Sequence, residues 1–222
     1  MPAARAPEPK TIARRWDRYA PVYDRLVGLS AQRRRSLELA ELRAGERVAI
    51  LGVGSGLDLP LLPDGVRTTG VDLSPAMLRR AQQRADAVGA AFEARLGNAE
   101  ALDLPAGGYD AVVLHLIVAV AYDPVAVLRE AVRIVRPGGR IAVFDKFAPE
   151  GRPPSWLRRA VEAVARPLAT SVTVRLEEVA AAARARVVHR ESAPPLGLLT
   201  IARLEPEGPT KAATPVTGSG GS

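Results

Sequence analysis

The short run Arg47-Val48-Ala49-Ile50-Leu51 feeds straight into Gly52-Val53-Gly54-Ser55-Gly56, and the next apolar run, 66–71, ends at Asp72. This pairing constrains the chain more than any other feature. Glycines at alternate positions let the backbone bend tightly and approach a ligand without Cβ clashes. An acid closing the neighbouring strand stands where a carboxylate can accept hydrogen bonds from both hydroxyls of a ribose. A helix cap or a solvated loop charge is the other reading of Asp72.

Strands alternate with helices around this feature. Helical patterns cover 11–26, interrupted near Pro21, and 30–42. Strands are predicted at 47–51, 66–71, 91–96, 109–118 and 140–144. Ser74-Pro75 supplies an N-cap and a first-turn proline for a helix running to Gly89, and Asp123-Pro124 opens another that Pro137-Gly138-Gly139 ends. The fourth strand is apolar throughout, as a strand buried on both faces should be. This βαβαβ order predicts an α/β fold with a doubly wound, mostly parallel sheet. Segments 187–191 and 198–204, separated by Pro194-Pro195-Leu196-Gly197, read as an antiparallel edge hairpin. Residues 1–10 and 206–222 carry no core-forming pattern, and the final Gly218-Ser219-Gly220-Gly221-Ser222 reads as tail or linker. The domain is therefore expected over 11–205, with 11–44 as a helical cap.

Composition narrows the chemistry. There is no cysteine and only two histidines, His115 and His189, which argues against a disulfide framework, a thiol nucleophile or a metal site. The 47% hydrophobic content suits a globular core, and no run is long enough to span a bilayer. No apolar stretch follows Arg5 and Lys10 in the manner of a signal peptide, so the expected location is the cytoplasm. The net charge of +7 comes almost wholly from arginine, which is the signature either of a GC-rich genome or of attraction to an anionic surface. Aromatic residues make up only 4%, so a membrane surface is favoured over nucleic acid.

The glycine spacing distinguishes two ligand classes. A dinucleotide fingerprint would place its third glycine at position 57, which is Leu57. Instead 52–56 resembles the first motif of class I S-adenosylmethionine-dependent methyltransferases. Gly70-Val71-Asp72-Leu73-Ser74-Pro75-Ala76-Met77-Leu78 resembles the motif after their second strand. Gly97-Asn98-Ala99-Glu100-Ala101-Leu102 resembles the loop after their third, and Val135-Arg136-Pro137-Gly138-Gly139-Arg140 the turn into their fifth. The resemblance implies a Rossmann-like seven-stranded sheet with an antiparallel edge strand, N-terminal helices over the cofactor site, and S-adenosylmethionine as cofactor with S-adenosylhomocysteine as product. It implies that Gly52, Val53, Gly54 and Gly56 pass beside the methionine portion and that Asp72 holds the ribose. Asn98 and Ala99 would meet adenine, and His115 and Leu116 would face the sulfonium. Leu73 and Met77 would pack on adenine or serve as plain core.

Two positions depart from the family pattern. Ile50 replaces an acid that helps to hold the cofactor's amino end, a role open to Asp58 unless that residue is only a helix-start charge. Asn98 replaces an aspartate and keeps an acceptor without charge assistance. A cofactor-binding module without activity is one consequence of such changes.

For the acceptor, Arg15-Trp16-Asp17-Arg18-Tyr19-Ala20-Pro21-Val22-Tyr23-Asp24 resembles the N-terminal helix of soluble bacterial phosphatidylethanolamine N-methyltransferases and of ubiquinone/menaquinone C-methyltransferases. Pro194-Pro195-Leu196-Gly197-Leu198-Leu199-Thr200 resembles the start of the last strand in the phospholipid group. The resemblance implies a phospholipid head-group acceptor at the inner face of the membrane, or a quinone-like or other small molecule. Tyr19 and Tyr23 are the candidates to reach the site, with a packed helix face as the alternative. Lys146 is a candidate for an anionic phosphate or a solvated loop charge. Tyr19, Tyr23, His115 and Asp145 are candidates to receive the proton of an amine acceptor. The apolar stripe Trp156, Leu157, Ala160, Val161, Val164 and Leu168, with arginines beside it, fits either an interfacial helix or one packed on its own domain.

Overall fold

The computed structural model describes residues 29–148, 174–194 and 199–208. The expectations on Tyr19, Tyr23, the first helix, the 156–168 stripe, 195–198 and the terminal tails lie outside these residues.

Helix α1 (Ser30–Leu39) precedes β1 (Arg47–Leu51) and β2 (Arg67–Asp72). Helix α2 (Pro75–Val88), β3 (Ala91–Leu96) and β4 (Tyr109–His115) follow, then α3 (Pro124–Ile134), β5 (Val135–Asp145), α4 (Leu176–Ala182), β6 (Ala185–Ala193) and β7 (Leu199–Pro206). The seven strands form one sheet in the order β3-β2-β1-β4-β5-β7-β6. β1 pairs in parallel with β2 and β4, and β5 in parallel with β4, whereas β7 runs antiparallel between β5 and β6. The chain order reverses direction across the sheet at β1/β4, which is where a doubly wound sheet opens its ligand crevice.

Local chemistry explains the elements that frame this crevice. The Ser74 side chain accepts a hydrogen bond from the Met77 amide, Pro75 sits in the first turn, and Gly89 closes α2 at φ +66°. Asp123 caps α3 through the amides of Val125 and Ala126. One core, from Leu51, Leu114, Val143 and Phe147 to Leu128 and Leu176, lies on the α3/α4 face of the sheet. A second, with Ile50, Val113, Leu37, Leu78 and Ala81, lies on the α1/α2 face.

β2, β6 and β7 differ from the sequence expectation by one or two residues at their ends, and three boundaries differ by more. β4 stops at His115 instead of continuing to 118, because Leu116 adopts φ +60° and turns the chain into a short 3-10 turn at Val118–Val120. β5 begins at Val135, five residues early: Val135 pairs with Tyr109, and a register shift between Tyr109 and Ala111 absorbs the Pro-Gly-Gly segment as an irregularity within the strand. Helix α1 ends three residues before 42. Among the described residues no helix is long and apolar enough to cross a membrane, and no group of three or more His, Cys, Asp or Glu side chains could hold a metal ion.

Candidate active site

The carboxyl ends of β3, β2, β1 and β4 border a cleft with about 1000 Å³ of empty space, part of it open to solvent. Residues 52–55 and Leu57 contribute from the turn after β1, Asp72, Leu73 and Met77 from the β2 side, 97–100 from the loop after β3, and 115–117 from the end of β4. Arg33 of α1 lies along the same wall.

The turn after β1 has positive φ at Gly52, Gly54 and Gly56 (+69°, +55° and +78°). The glycines do different work. Among the described residues a Cβ on Gly54 would meet nothing within 4 Å, so its bare backbone faces the cleft. A Cβ on Gly56 would lie 2.8 Å from Leu59 Cδ1 and 3.0 Å from the Ala81 Cα of α2. Gly56 is absent from the cleft lining. Its place is a close helix contact beneath the turn, in contrast to the ligand contact expected from sequence. Gly56→Ala should therefore destabilise the fold by about 2–3 kcal/mol, from overpacking added to left-handed strain. Gly54→Ala should cost only about 1 kcal/mol of stability while placing a methyl group in the cleft and weakening cofactor binding. Denaturant unfolding and calorimetric titration of the two variants would separate these effects.

Asp72 ties the turn to β2. Its Oδ2 accepts from the Gly54 amide and its Oδ1 from the Ser74 amide, each at 2.9 Å. The carboxylate is thus oriented before any ligand arrives. Leu73 and Met77 lie beside it, with Met77 buried and Leu73 half-buried. Across the cleft, Asn98 Oδ1 accepts from the Glu100 amide at 3.0 Å, which fixes the amide group at the rim beside Ala99. Glu100 Oε1 accepts from the amides of Tyr122 and Asp123.

His115 lines the cleft, yet both ring nitrogens are engaged: Nδ1 lies 2.8 Å from Asp58 Oδ1 and Nε2 2.9 Å from Ser36 Oγ. An ionised Asp58 can only accept, so Nδ1–H donates to it, while Nε2 is paired with the Ser36 hydroxyl. Ser36 is 0% exposed, so this Ser-His-Asp connectivity cannot serve as a nucleophile relay on a substrate. It fastens α1 to β4. A proton-accepting role for His115 would require the Ser36 bond to open. Asp58 also receives Arg33 Nη1 at 2.9 Å on both oxygens and is 2% exposed. Burial pushes its carboxyl up, but the charges of His115 and Arg33 outweigh that and hold it well below the usual carboxylate range. Asp58 therefore serves neither as the substitute acid at the cofactor's amino end nor as a solvated helix-start charge. Ile50, where that acid would stand, is 1% exposed in the core.

Asp145 is 0% exposed, and burial raises its pKa against the opposing amides of Ala119 and Lys146. Its Oδ2 accepts from Ala119 and its Oδ1 from Lys146, so the carboxyl clamps the turn that follows β4. Acting on a substrate would open that clamp. Lys146 is half-buried, one residue past the end of β5. Leu116 is buried at φ +60°, an uncommon state for leucine, and its amide donates to the Phe144 carbonyl at 2.7 Å.

Sequence reasoning did not single out Arg33. It stands in Arg33-Arg34-Arg35, which reads as a solvated charge run. The available signal was helical spacing: Arg33 shares a face with Ser36, Leu37 and Ala40, all buried.

Comparison with known proteins bears on the family and the fold. Residues 50–143 match the methyltransferase domain family. A phosphatidylethanolamine N-methyltransferase from Cereibacter sphaeroides is 32% identical over 197 residues, covering 87% of this chain and 97% of that protein. A demethylmenaquinone methyltransferase from Thermus thermophilus is 35% identical over 136 residues, covering 57% of this chain and 61% of the other. In fold, the chain is similar to the [4+2]-cyclase SpnF (TM-score 0.75, 17% identity, 92% and 98% of the two chains). It is also similar to the geranyl diphosphate C-methyltransferase of Streptomyces coelicolor (TM-score 0.72, 16% identity, 92% and 99%). The chain belongs to the class I S-adenosylmethionine-dependent methyltransferases. Its cofactor is S-adenosylmethionine.

The cleft fits that cofactor on its own terms. An open backbone bend at Gly54 and a preset carboxylate at Asp72 face the same space, with apolar Leu73 and Met77 beside them for a flat base.

Proposed function

We propose that this methyltransferase N-methylates the amino head group of phosphatidylethanolamine at the inner face of the membrane, a step towards phosphatidylcholine. The observation that carries this reading is the extent of the match to the Cereibacter sphaeroides N-methyltransferase, which reaches across 97% of that protein and well beyond the core domain at 50–143.

The cofactor supplies an electrophilic methyl group. The chain's task is to hold it, present the acceptor in line and exclude water. Asp72 and the bare backbone of 52–54 would hold the nucleoside and the start of its tail. Asn98 and Ala99 would meet the adenine edge. Leu116 and Ile117 would wall the transfer region with apolar surface. An ammonium group has no lone pair, so the acceptor must react as the neutral amine, which an apolar wall favours by desolvation. The lining acids Asp72 and Glu100 already accept backbone amides, and His115 is held at both nitrogens. Among the described lining residues, catalysis therefore rests on placement more than on a free base. Tyr19 and Tyr23 are the proposed groups to receive the proton, with His115 and Asp145 positioning the end of β4. Lys146 is the proposed contact for the head-group phosphate.

The match to a demethylmenaquinone methyltransferase, together with the apolar cleft wall and the 72% exposed Tyr122 near its rim, favours a quinone-like ring as a second reading. Incubation with methyl-labelled cofactor and vesicles containing phosphatidylethanolamine separates the two. Label in mono-, di- or trimethylated lipid supports the first. Label only in an added demethylmenaquinol, with none in any aminolipid, replaces it with the second.

A further inference from the structure

We propose that Arg33 grips the carboxylate of the cofactor's amino-acid tail, so that this site recognises the tail through its carboxylate and not through its ammonium group. The proposal rests on the nucleoside placement above. Glycine turn, ribose acid and adenine loop follow β1, β2 and β3, which lie side by side in the order β3-β2-β1-β4. A nucleoside spanning β3 and β2 sends its tail towards β1 and β4. Arg33 stands at that end, joined through Asp58 to His115 at the last residue of β4.

Three features mark Arg33 as more than a structural cation. It lines the cleft and is only 6% exposed, so it lacks the hydration that an exposed arginine enjoys. Its Nη1 alone holds both oxygens of Asp58. Among the described residues its buried Nε has no hydrogen-bond partner and its Nη2 makes no hydrogen bond. A buried unpaired donor is costly unless something completes it. The Nε and Nη2 hydrogens form one edge of the guanidinium, and two parallel N–H donors match the two oxygens of a carboxylate.

The same end of the cleft offers an ammonium group little. The residues lining it from β1 and β4, namely 52–55, Leu57 and 115–117, include no carboxylate. Asp72, which accepts from the Gly54 amide, is assigned to the ribose, and Asp58, next to Leu57 in the chain, is occupied by Arg33 and His115 and does not line the cleft.

Calorimetric titration of the full chain tests this without any mutation. The ligands are S-adenosylhomocysteine, its analogue lacking the carboxylate, its analogue lacking the amine, and 5′-methylthioadenosine. Removing the carboxylate should weaken binding about 30-fold, the scale of a charge-assisted bidentate contact. Removing the amine should change affinity less than about 5-fold, as a tail group without a charged partner would. Arg33→Met should bring S-adenosylhomocysteine down to the affinity of the decarboxylated analogue while leaving 5′-methylthioadenosine unchanged, and Arg33→Lys should restore part of the difference. A larger loss from removing the amine than from removing the carboxylate in the unaltered protein would overturn the proposal. So would an equal loss for every ligand, 5′-methylthioadenosine included, in Arg33→Met. Failure of 5′-methylthioadenosine to bind the unaltered protein would instead strike the nucleoside placement, and this proposal would fall with it.

Discussion

Asp72→Ala should weaken binding of S-adenosylmethionine by about 2–4 kcal/mol, roughly 30- to 1000-fold, the loss expected for two charge-assisted hydrogen bonds to a ribose. The effect has two parts. The ribose hydroxyls lose their acceptor. The amides of Gly54 and Ser74 lose theirs as well, which loosens the turn that must approach the cofactor. Asp72→Asn keeps one acceptor oxygen but turns an NH₂ towards one of these amides, so it should fall between the parent and the alanine variant. Calorimetry on folded protein measures both. If Asp72→Ala binds like the parent, the carboxylate does not meet the sugar.

Asp58→Ala should cost the fold about 3–5 kcal/mol, the usual penalty for removing one partner of a buried ion pair. It would strand the Arg33 guanidinium, whose side chain is 7% exposed, and leave His115 Nδ1 without its acceptor. The double variant Asp58→Ala/Arg33→Met should recover a substantial part of the loss, since the cost lies chiefly in the uncompensated charge. Denaturant unfolding checks both. A loss below about 1 kcal/mol in the single variant would show the pair to be solvated in solution, as for a surface ion pair.

The same pair predicts the direction of the acid response. The Asp58 carboxyl is held below its ordinary value of 3.8, with the charges of His115 and Arg33 outweighing burial. The folded state therefore binds this proton more weakly than the unfolded state. Its contribution is complete above the unfolded value and is lost as pH falls below it towards the folded value. The melting temperature of the parent should drop as pH falls below about 4, and Asp58→Asn should lack that part of the slope.

How much of this was legible in the sequence depended on whether the signal was local. Ser74-Pro75 and Gly89 announced both ends of α2, and the glycine turn with Asp72 announced the crevice, because each rests on short-range backbone chemistry. The antiparallel edge was legible from the two late apolar runs, and β7 indeed lies between β5 and β6. The end of β4 was not. Residues 109–118 are apolar throughout, and periodicity cannot say that Leu116 turns left-handed. The Pro-Gly-Gly segment carries a turn signal, and the chain does bend there, with Gly138 at φ +71°, but pairing to β4 on both sides of it, at Val135 and from Arg140 on, keeps the bend within one strand. The Arg33–Asp58–His115–Ser36 network was invisible because Asp58 and His115 are 57 residues apart, and only the fold makes them neighbours. Burial also changed what residues do: Gly56 supports a helix contact and Asp145 clamps a turn.

The central claim is that the bend at 52–54 and the Asp72 carboxylate grip one nucleoside. A crystal structure with S-adenosylhomocysteine tests it most directly. The account predicts ribose hydroxyls within hydrogen-bonding distance of the Asp72 carboxylate, adenine against Leu73 and Met77, and the tail passing Gly54 towards Arg33. A nucleoside bound elsewhere, or one lying in this cleft with its ribose turned away from Asp72, would contradict it.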